Sequence, residues 1–242
     1  MVILVQGAEK EEINYYLEKI QNMVIEKVGG FEFYIGEILR KKENNYKIII
    51  SKTDIGEINA SIATGIAIER YKPDLIINQG TCGGHDVNAK TGDLIIVKDF
   101  VYTTSFITQK SEKSSLDNWK IKEYNQNKDY LKKASEKYVE KFNDLLKKYK
   151  KDGIHVGTIA SGDIWNREKE RIRFLNKEYE TLAEEMEVAG VYTAANRFNI
   201  PVVSIRIVSN NEIRNEDYQK EIAIESQKLL YKILENEEIW KL

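Results

Sequence analysis

Six short apolar runs, separated by segments of helical periodicity, constrain this chain more than any other feature. The runs are Val2 to Val5, Tyr46 to Ile50, Leu75 to Ile77, Leu94 to Val97, Val156 to Ala160 and Val202 to Val208. A brief apolar stretch bounded by polar residues reads as a strand buried on both faces. Between the runs, Glu11 to Val24, Ile58 to Tyr71, Tyr130 to Tyr149, Val188 to Phe198 and Asp217 to Leu234 carry apolar residues three and four apart, the spacing of one helix face. Strands alternating with helices imply an α/β fold, a three-layer sandwich in which helices flank a central, largely parallel twisted sheet. Phe31 to Leu39 and Tyr46 to Ile50, joined by the polar turn Lys41 to Asn45, read as a strand pair, so the sheet is expected to be mixed.

With 242 residues, two prolines, no Gly- or Ser-rich linker and no fixed-period repeat, the chain reads as one domain, 1–242. A formal net charge of -2 with lysine and glutamate interspersed offers no basic face to nucleic acid. The single cysteine, Cys82, excludes an intramolecular disulfide and suits a reducing compartment, so a cytoplasmic location is expected. Met1 to Val5 lacks the basic leader of a signal peptide, and no apolar run reaches the roughly 20 residues a bilayer requires. His85 and His155 with one cysteine cannot build a closed zinc site, so neither metal nor cofactor is expected. His85 is expected in an exposed loop and His155 in a structural role. The Lys- and Glu-rich stretch from Lys132 to Lys151 reads as a solvated helix face over Tyr138, Phe142 and Leu146. Ser105 to Tyr124, polar and without periodicity, reads as a long loop or lid.

In an open α/β sheet, ligands bind beyond the carboxyl ends of the strands. Four such ends here are followed by glycine or acidic residues. Gln6-Gly7-Ala8-Glu9-Lys10-Glu11-Glu12 closes the first run, although acids in a first helical turn also complement the helix dipole. Gly80-Thr81-Cys82-Gly83-Gly84 permits close backbone approach to a ligand, but neither the P-loop nor the dinucleotide pattern is present. Ser161-Gly162-Asp163 is followed by Trp165, which could stack on a planar base or simply pack. Glu184-Glu185-Met186-Glu187 crowds carboxylates at a strand-to-helix corner, and the last run ends Arg206-x-x-Ser209-Asn210.

Taken together, Gly7-Ala8-x-x-Glu11-Glu12, Asn78-x-Gly80-Thr81-x-Gly83-Gly84, Ser161-Gly162-Asp163, Glu185-Met186-Glu187 and Arg206-x-x-Ser209-Asn210 resemble the purine nucleoside phosphorylase superfamily, and within it the methylthioadenosine/S-adenosylhomocysteine nucleosidases. The likeness holds in order and spacing from Val2 to about Ser209. It implies hydrolysis of a purine nucleoside at its N-glycosidic bond. By resemblance, Glu12 is the general base for the attacking water, with the Thr81 hydroxyl nearby, and Glu187 holds the ribose 2'- and 3'-hydroxyls over Met186. The same likeness gives Ala8, Ile55, Gly83, Trp165, Glu185 and Ser209 to the pocket, and the backbone of Asn166 to the base edge. Superfamily phosphorylases hold phosphate with arginines, one where this chain has Asn78 and another in a loop here replaced by Ala8-Glu9-Lys10. Water is therefore the expected nucleophile.

Asn210 departs from the adenine-cleaving members, which carry an aspartic acid that protonates the leaving base. An amide binds a base edge but donates no full proton. Three readings stay open: a nucleosidase for 5'-thio purine nucleosides, an enzyme for 6-oxopurine nucleosides such as inosine, and a nucleoside-binding protein with little catalysis. Glu9, where an apolar residue is usual, and the Ser105 to Tyr124 segment leave the 5' substituent undetermined. Arg206 is assigned a structural role. The resemblance also implies a homodimer, with no nucleic-acid or membrane partner.

Overall fold

The computed structural model describes residues 1–38, 46–108, 110, 119–121 and 131–241. In chain order it contains β1 (Val2–Gly7), a 3-10 turn (Lys10–Glu12), α1 (Asn14–Lys19), β2 (Gln21–Val28), β3 (Phe31–Ile38), β4 (Tyr46–Lys52), α2 (Glu57–Tyr71) and β5 (Leu75–Gly84). There follow β6 (Leu94–Tyr102), β7 (Phe106–Thr108), β8 (Trp119–Ile121), β9 (Leu131–Lys133), α3 (Glu136–Lys147), β10 (Ile154–Ser161), α4 (Lys169–Tyr179), β11 (Thr181–Glu185), α5 (Val188–Arg197), β12 (Val202–Asn210) and α6 (Ala223–Leu234).

The fold is α/β with a mixed sheet ordered β11-β10-β6-β12-β5-β1-β4-β3-β2. β1 pairs in parallel with β4 and β5, and β12 in parallel with β5, as the continuous apolar runs imply. One apolar core, on Ile3, Val5, Ile50, Ile77 and Ile205, is covered by α1, α3 and α6; the other, on Leu4, Ile49, Ile76 and Val97, by α2 and α5. α2 and α5 touch where Gly190 passes the backbone of Glu57: a Cβ there would stand 2.2 Å from the Glu57 carbonyl oxygen, so only glycine fits.

An open layered sheet does not describe one flank. β5 runs on past Asn78, where the sequence suggests a turn, and pairs antiparallel with β11 through Gly84 opposite Ala183 and Gly83 opposite Glu184. That pairing joins β5, β12, β6, β10 and β11 into a closed ring. The physical reason lies in Gly80, Gly83 and Gly84, since glycine inside a strand allows the bend a barrel corner needs.

The expected helix from Glu11 to Val24 is instead the 3-10 turn, the short α1 and the strand β2, which pairs with β3. The β-branched Val24, Ile25 and Val28 favour an extended edge over a fourth helical turn. α3 begins at Glu136 rather than Tyr130, and buries Phe142 and Leu146 as its stripe requires. The polar turn Lys41 to Asn45 and most of the Ser105 to Tyr124 loop lie outside the described residues, although β7 and β8 within that stretch pair with each other. Among the described residues no helix is long and apolar enough to cross a membrane.

Candidate active site

The carboxyl ends of β1, β5, β11 and β12 converge on an open cleft of about 640 Å³. Glu12, Glu187 and Asn210 line it together with Ala8, Ile55, Thr81, Gly83, Trp165, Glu185, Met186 and Ser209. Asn166 does not line it: it is buried behind, and its backbone N–H donates to Glu184 Oε1 at 3.1 Å. The donor that the resemblance gives to the base edge is thus already engaged.

Glu12 is fixed by four donors. Its Oε2 accepts from the N–H groups of Ala8 (2.8 Å) and Glu9 (3.4 Å), and its Oε1 from the N–H (2.7 Å) and hydroxyl (3.1 Å) of Thr81. The tight turn after β1 therefore fixes one carboxylate between the ends of β1 and β5. Gly80 makes the room, because a Cβ there would lie 2.7 Å from Glu12 Oε1 and 2.8 Å from an Arg206 guanidinium nitrogen.

Arg206 holds the structural place expected of it, pairing with carboxylates. It is almost fully buried in β12, with Nη2 2.7 Å from Glu185 Oε2 and Nη1 3.2 Å from Glu187 Oε2. Nη2 also donates to Asn78 Oδ1 at 2.7 Å, which accepts from Ser204 Oγ at 3.0 Å as well. Glu185 Oε2 accepts the N–H groups of Glu187 (2.8 Å) and Val188 (2.9 Å), satisfying orphan donors at the start of α5. Glu187 Oε1 accepts the N–H of Gly56 at 3.1 Å. Burial lifts the Glu187 carboxyl to about 7; Arg206 opposes the rise, and the charges of Glu185 and Glu12 add to it. An arginine in an apolar strand had to find carboxylates, and the acidic corner at Glu185 and Glu187 is where the sequence supplies them.

Behind this cluster Glu57 is buried, accepting from the Ser161 hydroxyl and the Gly190 N–H. Burial and then the Glu185 charge push its carboxyl from 4.5 up to about 8. The folded state therefore holds this proton more tightly than the unfolded chain, so its contribution to stability is full below about pH 4.5 and is lost as pH rises towards 8. Replacing Glu57 with Gln is expected to flatten the fall in melting temperature between pH 5 and 8; equal slopes in variant and wild type would contradict this. Asp163 Oδ1 accepts the Glu57 N–H at 2.8 Å, so that motif residue tethers β10 to the start of α2.

On the base side, Ser209 Oγ lies 3.1 Å from both Cys82 O and Asn210 Oδ1. Trp165 is 61% exposed and meets Tyr218 edge to face with centroids 5.3 Å apart. Ile164, Cys82 and Glu184 of the strand-end motifs also line the cleft, and so does Tyr218, which the motif reading did not include. Tyr218 arrives on the segment between β12 and α6, beyond the last motif, and nothing in its neighbours marks it. His85 is buried rather than exposed, because the β5–β11 pairing draws it inward. His155 lies 2.9 Å from Asp93, away from the cleft. Five acidic residues line the cleft, Glu9, Glu12, Glu184, Glu185 and Glu187, and among the described residues no lysine or arginine does.

A family model described as phosphorylase superfamily matches residues 2–236. The chain belongs to that superfamily. Within it, the 5'-methylthioadenosine/S-adenosylhomocysteine nucleosidase of Bacillus subtilis (strain 168) is 29% identical over 246 residues, spanning 97% of this chain and 98% of its own. The enzyme of the same name from Buchnera aphidicola subsp. Acyrthosiphon pisum (strain Tuc7) is 33% identical over 226 residues, 91% of this chain and 87% of its own. The fold matches the crystal structure of the Neisseria meningitidis nucleosidase in complex with methylthio-immucillin-A, with a TM-score of 0.79 at 24% identity over 97% of this chain and 98% of that one.

Proposed function

We propose that this protein is a phosphate-independent purine nucleosidase, hydrolysing the N-glycosidic bond of a methylthioadenosine- or S-adenosylhomocysteine-like nucleoside to free base and a ribose derivative. The observation that carries the reading is the lining of the cleft: five acidic residues and, among the described residues, no basic one. A phosphate dianion placed beside Glu12 would meet uncompensated repulsion, whereas a water molecule would find an acceptor there. The nearest buried cation, Arg206, is already committed to Glu185, Glu187 and Asn78.

In this reading Glu12 takes a proton from water attacking C1'. Glu187, backed by Arg206, accepts hydrogen bonds from the ribose hydroxyls. Those bonds strengthen as the sugar becomes cationic. Met186 and Ile55 supply apolar contact, and Asn210 and Ser209 face the base. The Asn210 amide can serve either a 6-amino or a 6-oxo edge, so the base panel is the test. Purified protein should release adenine from 5'-methylthioadenosine and S-adenosylhomocysteine faster than hypoxanthine from inosine; hypoxanthine release alone would assign the protein to 6-oxopurine nucleosides.

The exposed Trp165 is positioned to cover a bound base. Stacking on an aromatic side chain is worth about 1–3 kcal/mol, so Trp165→Ala is expected to raise KM about tenfold. Its melting temperature should stay near that of the wild type, since the indole is largely outside the core; an unchanged KM would remove Trp165 from the base site. The proposal extends to residues 1–242 acting as one domain, in the cytoplasm, as a homodimer. Ile58 and Ile62, exposed apolar side chains four residues apart on α2, support a homodimer, and sedimentation velocity measures the state.

A further inference from the structure

Glu184 and His85 form a pair at the edge of the cleft that the roles above leave unused. Glu184, near the end of β11, lines the cleft with its side chain 13% exposed, and His85 stands behind it with its side chain 1% exposed. The β5–β11 pairing holds them together: Gly83 lies opposite Glu184, and the His85 N–H donates to Leu182 O at 2.8 Å. His85 Nδ1 lies 2.8 Å from Thr181 Oγ1, and Nε2 lies 3.1 Å from Glu184 Oε2. The second contact is close but lacks hydrogen-bond alignment, so Nε2 is a buried nitrogen without a hydrogen-bond partner, against a carboxyl group that reaches the cleft. Arg171 of α4 is the cation whose field reaches Glu184, and Glu185 and Cys82 lie on its cleft side.

The position of Asn210 gives this pair meaning. A Cβ built on Gly83 would stand 3.5 Å from Asn210 Nδ2 and 3.7 Å from Glu184 Cγ, so amide and acid border the same small volume. Asn210 can hydrogen-bond a base there but cannot protonate it, whereas a carboxyl group backed by an imidazole can hold and pass on a proton. Resting on the nucleosidase reading, we propose that Glu184 is the general acid for the departing base and that His85 is its positioning partner. The C1'–N9 bond breaks with its electron pair passing to the base, and Glu184 gives its proton to a ring nitrogen of that base. Water adds to C1' and gives a proton to Glu12. Glu184 regains a proton from solvent through the open cleft, Glu12 releases one to solvent, and the sum is nucleoside plus water to free base plus free sugar.

The test compares 5'-methylthioadenosine or inosine, whichever the wild type cleaves faster, with p-nitrophenyl β-D-ribofuranoside, whose phenolate leaves without a proton. Glu184→Gln retains an acceptor for the Asn166 N–H. It is expected to lose about a hundredfold more kcat/KM on the purine nucleoside than on the nitrophenyl riboside. His85→Gln should shift the same ratio in the same direction by a smaller factor, and it decides the matter if Glu184→Gln does not fold. Equal losses on the two substrates, or no loss on either, would overturn the assignment of Glu184. A wild type that releases no base from any purine nucleoside would instead overturn the nucleosidase reading itself.

Discussion

Glu12→Gln is expected to slow base release by two to four powers of ten, the usual worth of a positioned general base. The side chain is held by donors from Ala8, Glu9 and Thr81. Gln keeps one acceptor oxygen for that set and nearly the same volume. It cannot take a proton from water. Nucleoside affinity, measured by calorimetry on the slowed variant, should therefore change far less than turnover, since the proposed ribose grip and base contacts sit on Glu187, Trp165 and Asn210. A variant that keeps more than a tenth of wild-type turnover would show that another group activates the water.

Arg206→Met should have the largest effect on the fold. It removes the cation from a buried cluster that holds Glu185 and Glu187. Breaking one side of a buried ion pair costs about 3–5 kcal/mol, because the surviving charges are left unpaired. That is a large part of the 5–15 kcal/mol by which a domain is ordinarily stable. For a chain of this size a loss of about 3–5 kcal/mol lowers the melting temperature by roughly 10 °C or more. Adding Glu185→Met should recover part of the loss, since replacing both partners with apolar groups removes the unpaired charge. Thermal unfolding of the single and double variants measures this; a single variant melting within 2 °C of wild type would mean that Arg206 does not hold the cluster together.

The site was legible in the sequence where a motif sits at the end of a strand, because a strand's direction fixes which of its residues reach the carboxyl edge of the sheet. Gly7 to Glu12, Thr81 to Gly83, Glu185 to Glu187 and Ser209 to Asn210 all meet at the cleft for that reason. What escaped depends on contacts between distant elements. The ring closed by β5 and β11 rests on two residue pairs that no local pattern announces, and it carries His85 inward and Glu184 to the cleft edge. The partners of Arg206 become visible only when β12 and the start of α5 are adjacent. β2 was hidden because Ile20, Val24 and Val28 fall four residues apart, a spacing that fits a helix face as well as an edge strand. Tyr218 falls at the start of Asp217 to Leu234, which the periodicity reads as helix, whereas α6 begins only at Ala223.

Free base and sugar product, followed for the purified protein with 5'-methylthioadenosine in phosphate-free buffer and again with added phosphate, test the central claim most directly. The cleft described here predicts adenine and a free reducing sugar at the same rate in both buffers. Adenine release that requires phosphate and yields a sugar 1-phosphate would contradict it.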